Sequence, residues 1–155
     1  MSNPFWDFSL SNYRRDGVAQ TCLTLQDEFG LDVNVLLYGG WLAAMDQCLT
    51  EDHLAGIAAT IAPWRERVVL PLRILRRQWR DYPAAIDLRD EVKALELQAE
   101  RQQQDMMLAF YAVAGKLPTA RRPIAPNLIV VASVSCPETD RWVLGIDQLC
   151  AKLQP

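Results

Sequence analysis

The chain has 155 residues, half of them apolar and 23% charged, with a net charge of −3. That length and composition suit one globular domain with its own core, argue against general disorder and make metal or disulfide staples unnecessary. The net charge points to no partner by itself, but its distribution is uneven: residues 64–81 hold six arginines against Glu66 and Asp81, and the remainder holds ten basic and seventeen acidic residues.

Asn3 and Pro4 form a helix start, with proline at the first helical position. Phe5, Trp6, Phe8, Leu10 and Tyr13 then predict an aromatic-rich first helix ending near Arg15. Asp16-Gly17 breaks it. Val18, Cys22, Leu25 and Phe29 recur at helical spacing and define a second helix, closed by Gly30 as a C-cap. Asp32 caps a third, with Val33, Leu36, Leu37, Trp41, Met45 and Cys48 facing inward. Thr50 followed by Glu51 and Asp52 opens a fourth, because a hydroxyl cap and two acids complement the helix dipole. It is expected to run to about Ala62.

Pro63 is read as the start of a fifth helix. Trp64, Val68, Leu72, Leu75 and Trp79 fall on one face of it, and Arg73, Arg76, Arg77 and Arg80 on the other. Pro71 removes a backbone donor inside that segment, so a kink is predicted near residues 67–71. Tyr82-Pro83 ends the element. From Ala84, the pattern Leu88, Val92, Leu95, Ala99, Met106, Phe110 and Val113 predicts one long helix over about 84–114, roughly 46 Å at 1.5 Å per residue. The polar run 101–104 interrupts its stripe, and a bend is expected there. Residues 116–126, with three prolines, form a loop before the C-terminal helices. Leu128 to Val134 is β-branched but has no partner strand, so it is read as a short buried helix. Pro137-Glu138 opens a last helix with Trp142, Ile146, Leu149 and Leu153 on one face.

The expected fold is therefore all-α: about seven helices in an irregular orthogonal or bundle-like array, one domain over residues 1–155. Four scattered cysteines lack any zinc spacing, the N-terminus has no signal-peptide pattern, and no apolar run reaches membrane-spanning length. A cytoplasmic protein with reduced thiols is the expectation.

The strings Phe5-Trp6-Asp7-Phe8-Ser9, Leu25-Gln26-Asp27 and Gly30-Leu31-Asp32-Val33-Asn34, followed by Leu36-Leu37, resemble a conserved hypothetical proteobacterial family of about this length, a domain of unknown function. The resemblance covers residues 4–115 and implies a bacterial cytoplasmic protein with no assigned activity.

Gly30 to Val33 between two helices imitates a helix-turn-helix, but a recognition helix needs exposed donors for bases and phosphates. This one offers Leu36, Leu37, Tyr38, Gly39, Gly40 and Trp41, so DNA reading is set aside. The arginine face of the fifth helix suits carboxylate or phosphate recognition. Its alternative is internal pairing with Asp87, Asp90, Glu91 and Glu96 of the next helix. His53, the lone histidine, is expected on the surface, and Cys22 and Cys48 in the core. Gly39-Gly40 inside a helix points either to close packing or to room for a ligand beside Tyr38 and Trp41. Of the five tryptophans, Trp6 is the best candidate for partial exposure.

No catalytic constellation, metal site or cofactor motif emerges. The function expected is a non-enzymatic protein-binding or regulatory adaptor with Arg73, Arg76, Arg77 and Arg80 as its interaction surface, and a protein partner of acidic character. The alternative is a helical pocket at Tyr38, Gly39, Gly40 and Trp41 that binds an anionic apolar metabolite. Weak RNA binding is third. The sequence names neither partner nor oligomeric state.

Overall fold

The computed structural model describes residues 2–155. Its α-helices are α1 (Pro4–Tyr13), α2 (Val18–Phe29), α3 (Val33–Ala44), α4 (Glu51–Trp64), α5 (Leu70–Gln78), α6 (Ile86–Val113), α7 (Ile124–Ser135) and α8 (Val143–Lys152). A π-helical turn, Arg65–Val69, joins α4 to α5 without a break. Residues 51–78 are thus one continuous helix with a π turn inside it, which leaves seven helical segments among the described residues. An isolated bridge between Gln47 and Thr119 is the only β-type pairing among the described residues. The fold is all-α.

Local chemistry sets most helix ends as expected. Asn3 accepts from the Trp6 amide at 2.9 Å and Asp32 from the Asn34 amide at 2.9 Å. Thr50 Oγ1 accepts from the His53 amide at 3.1 Å. Gly30 closes α2 in the left-handed region, at φ 67°.

The prolines act differently from their sequence reading. Pro63 lies inside α4, in its last turn, rather than opening a new helix. The bend expected around Pro71 is a π turn over Arg65–Val69, with the Leu70 amide bonding back to the Arg65 carbonyl. Proline lacks an amide hydrogen and crowds the preceding turn, and one widened turn relieves that crowding while the chain stays helical.

Other expectations are corrected too. α3 stops at Ala44, so Met45 lies outside it and is 39% exposed. Trp6 is buried. α7 begins at Ile124, inside the expected loop, and α8 begins at Val143, after turns at 137–142.

The chain forms two compact units. The first combines the chain up to Ala55 with Ala114–Pro155. Its centre is α3, buried on every side from Asn34 to Ala43. A helix apolar all round needs neighbours all round. Those include α1, α2 and α7, and α8 in turn packs on α2 and α7. Asn12 fastens the C-terminal tail: its Nδ2 donates to the Gln154 carbonyl at 2.9 Å, and its Oδ1 accepts from the Gln154 amide at 2.7 Å.

The second unit, Gly56–Val113, holds the end of α4, the π turn, α5 and α6. It is a helical hairpin. The Phe110 ring sits where a methyl group on Gly56 would approach within 2.3 Å, so the two arms touch closely at that end. Trp64 Nε1 donates to the Ala99 carbonyl at 2.8 Å, and Arg89 Nε to the Arg76 carbonyl at 3.0 Å. These contacts run antiparallel along α6.

Candidate functional site

Within the hairpin, α5 carries the arginines. Arg73 Nε reaches Glu96 Oε1 at 3.2 Å, and Arg73 Nη2 reaches Glu100 Oε1 at 3.1 Å. Arg76 Nε pairs with Glu96 Oε2, and Arg76 Nη2 donates to Glu96 Oε1 at 3.3 Å. The side chains of Arg73, Arg76 and Glu96 are only 11%, 18% and 8% exposed. Arg73 and Arg76 are therefore internal cross-links between α5 and α6, while Arg77 and Arg80 are exposed.

The charge segregation is real, but the stripes are rotated from their expected places. No residue of α5 is fully buried. Leu72, Leu75 and Trp79 are half-buried, and Ile74 is 53% exposed. On α6, Leu88 and Leu95 were assigned to the inward stripe but are 56% and 49% exposed. The buried line of α6 instead runs through Val92, Glu96, Ala99 and Gln103. Two packed helices cover only one line each, so an apolar residue one step to the side remains in water.

The second candidate cluster lies in the first unit. Tyr38 is fully buried, and its hydroxyl lies 2.7 Å from His53 Nε2, with the two rings stacked at 5.8 Å. Phe5 meets Tyr38 edge-on at 5.4 Å, and Trp41 is 5.7 Å away. The expectation of a surface histidine is corrected: His53 is 6% exposed. A buried tyrosine hydroxyl needs a polar partner, and the lone histidine supplies it. The space beside the glycines is taken by side chains. A methyl on Gly39 would meet Leu128 Cδ1 at 3.4 Å, and one on Gly40 would meet Leu153 Cδ1 at 2.9 Å and Phe8 Cζ at 3.4 Å. Tyr38, Gly39, Gly40 and Trp41 thus form packed core.

Burial holds the His53 pKa below its ordinary 6.5. An unfolded chain then takes up a proton first as the pH falls, so this contribution to stability is present above 6.5 and is lost on acidification. Wild-type protein is expected to lose stability as the pH falls below 6.5, starting above the range where most carboxylates titrate. His53→Gln should flatten that slope. Denaturant midpoints that fall equally in both proteins would refute this assignment.

Three of the four thiols are held in the protonated, unreactive form. Burial pushes Cys22 up to about 12 and, with Asp147 nearby, Cys150 up to about 11. Cys136 donates to Glu138 Oε1 at 3.0 Å, and that carboxylate holds its pKa above the ordinary value. A reactive cysteine needs the opposite setting. The open depression beside it, of about 620 Å³, is lined by Ser133, Pro137, Glu138, Thr139, Asp140 and Trp142. Its ionisable groups are the two carboxylates Glu138 and Asp140, with no cationic side chain and no histidine in the lining. Among the described residues no group of His, Cys, Asp or Glu could hold a metal ion, and no helix is long and apolar enough to cross a membrane.

Sequence reasoning anticipated Glu96 as an arginine partner but missed Glu100. It also missed the Tyr38–His53 pair, whose signal was a tyrosine on an all-apolar helix.

Residues 4–107, two-thirds of the chain, match the family described as protein of unknown function (DUF2390), and the chain belongs to that family. The match takes in α1 to α5 and most of α6, hence both clusters. No curated protein and no solved structure matches the chain.

Proposed function

We propose that the protein is a non-enzymatic binding module that docks a protein partner on its helical hairpin, in the cytoplasm of a bacterial cell. The observation that carries this reading is the density of large apolar side chains in water on the hairpin: Ile74, Tyr82, Ile86, Leu88, Leu95 and Leu97 are each 49% exposed or more. Leu88 and Leu95, seven residues apart, share one side of α6, and neighbouring exposed apolar groups mark interaction surfaces, whereas scattered single ones are ordinary. Arg77 and Arg80 lie on the same arm, and arginine beside apolar surface is typical of binding hot spots. Arg73 and Arg76 support the surface from behind by fixing α5 on α6. The partner this chemistry fits is acidic and carries an apolar helix face. Four cysteines that all stand as free thiols support the cytoplasmic placement.

The test is capture from the native host with the full chain as bait. Leu88→Glu, Leu95→Glu and Arg80→Glu combined should reduce recovery of the specific partner at least about tenfold, while the protein stays folded because all three side chains are exposed. A folded triple variant that recovers the same proteins at the same level would remove the hairpin from the functional account.

A further inference from the structure

We propose that residues 70–85, α5 and its connection to α6, form a latched strap that lifts off α6 as one unit while the base of the hairpin stays folded, with Glu96 as the catch. The device is independent of what docks on the hairpin.

Burial sets the base and the strap apart. At the base, Ile57, Ile61 and Met107 are buried and the Phe110 ring closes on Gly56. Further along, Val69 and Val92 are both buried, but between them Ala85 alone of the described residues is. Leu72, Leu75 and Trp79 are half-buried, and a side chain left partly in water contributes only part of what a core residue does. Segments with few buried apolar groups open locally, before the whole molecule unfolds.

The backbone marks both ends of the strap. On the near side, the Leu70 amide reaches back to the Arg65 carbonyl across the π turn, and Pro71 has no amide to donate. The helical ladder is thus interrupted where α5 begins. On the far side, Tyr82 is extended, at φ −111° and ψ 95°, and a 3-10 turn over Pro83–Ala85 leads into α6. The nine residues of α5 fall short of the roughly 12–15 that sustain a helix in water without a neighbour. Separation from α6 and loss of the helix are therefore one event.

Charged groups hold the strap down. Glu96 accepts from both Arg73 and Arg76, and Glu100 accepts from Arg73 Nη2. Arg89 Nε donates to the Arg76 carbonyl in the last turn of α5, where helix carbonyls lack partners within the helix. Glu96 joins two strap residues to α6 at once, and its side chain is buried enough that salt and water screen it little. Lifting the strap uncovers Val92, Glu96 and two guanidinium groups, so the hairpin has a closed face and an open one.

Native-state hydrogen exchange on the full chain, read amide by amide and corrected for intrinsic rates, tests this. In the wild type, the amides of Ile74 to Gln78 are expected to be protected, yet to exchange at least about a hundredfold faster than those of Leu36 to Leu42 in α3. Low urea should speed exchange in α3 and leave the strap nearly unchanged, because lifting the strap exposes little surface. These two readings need no substitution. Glu96→Gln should speed the strap amides at least about tenfold, with their shallow urea dependence retained. Glu91→Gln, the same change at an exposed carboxylate of α6, should move them less than about threefold.

Strap amides that exchange at the α3 rate with the α3 urea dependence overturn the proposal, since the segment would then open only with the whole molecule. Strap amides with no protection in the wild type overturn it too, because nothing would be latched. An effect of Glu96→Gln no larger than that of Glu91→Gln removes Glu96 as the catch.

Discussion

Arg76→Glu is expected to lower the unfolding free energy by about 3 kcal/mol or more, and Arg80→Glu, one turn further on, by less than about 1 kcal/mol. The two substitutions are chemically identical. What separates them is the surroundings. Arg76 meets Glu96, whose side chain is 8% exposed and also accepts from Arg73. Reversal at 76 would set two carboxylates against each other in a site with little water to screen them. Arg73 would be left to balance three carboxylates, those of Glu96, Glu100 and residue 76. Arg80 is exposed, where solvent and salt screen any change. Glu96→Gln provides the intermediate case: it keeps the shape of the acceptor and removes the charge that both guanidinium groups share. Urea denaturation of the three variants beside wild type decides the matter. Equal costs for Arg76→Glu and Arg80→Glu would mean that the α5–α6 ion pairs contribute nothing, and the hairpin would then be held by apolar contacts alone.

The same contrast shows how far the sequence could be read. Periodicity of apolar residues located most of the helices, because i, i+3 and i+4 spacing reports directly on a 3.6-residue turn, whereas α7 is read as a helix only because its β-branched run has no partner strand. It reported the side of a helix less well. Leu88, Val92, Leu95 and Ala99 share a stripe about as wide as the spacing allows, and only the position of the facing helix decides that Val92 and Ala99 are covered while Leu88 and Leu95 are not. That position is a tertiary fact. The arginines were open to two readings for the same reason: a helix wheel shows which of them share a face, and not whether Glu96 comes within 4 Å of that face. Pro63 reads as a helix start, yet α4 runs through it to Trp64, and the π turn that follows at Arg65–Val69, ahead of Pro71, has no sequence mark of its own. His53 was placed on the surface by its position in the first turn of α4, yet Tyr38 is fifteen residues away in sequence and adjacent in space.

Asn127 left no trace in the sequence reading and carries the second large expectation: Asn127→Ala should cost about 3 kcal/mol. The residue is 1% exposed and serves three backbone groups at once. Its Nδ2 donates to the carbonyls of Gly39, at 3.0 Å, and Gln47, at 2.9 Å. Its Oδ1 accepts from the Leu49 amide at 2.8 Å. One side chain on α7 thereby satisfies the middle of α3 and the irregular segment that follows it, where no helix supplies partners. Alanine would strip all three at once, and the buried Leu49 amide would bear the largest penalty. The alternative Asn127→Asp separates donor from acceptor. It keeps an oxygen for Leu49 but turns a negative charge toward two carbonyl oxygens. Burial and those oxygens would raise the new carboxyl's pKa above its unfolded value, so the variant should regain stability relative to wild type as pH falls and lose it as pH rises. Hydrogen exchange gives the local readout. The Leu49 amide should lose protection in Asn127→Ala and keep most of it in Asn127→Asp at low pH. Unchanged protection of Leu49 in the alanine variant, with a stability loss under about 1 kcal/mol, would show that water replaces the side chain at no cost and that the junction between α3 and α7 is held by packing of Gly39 against Leu128 alone.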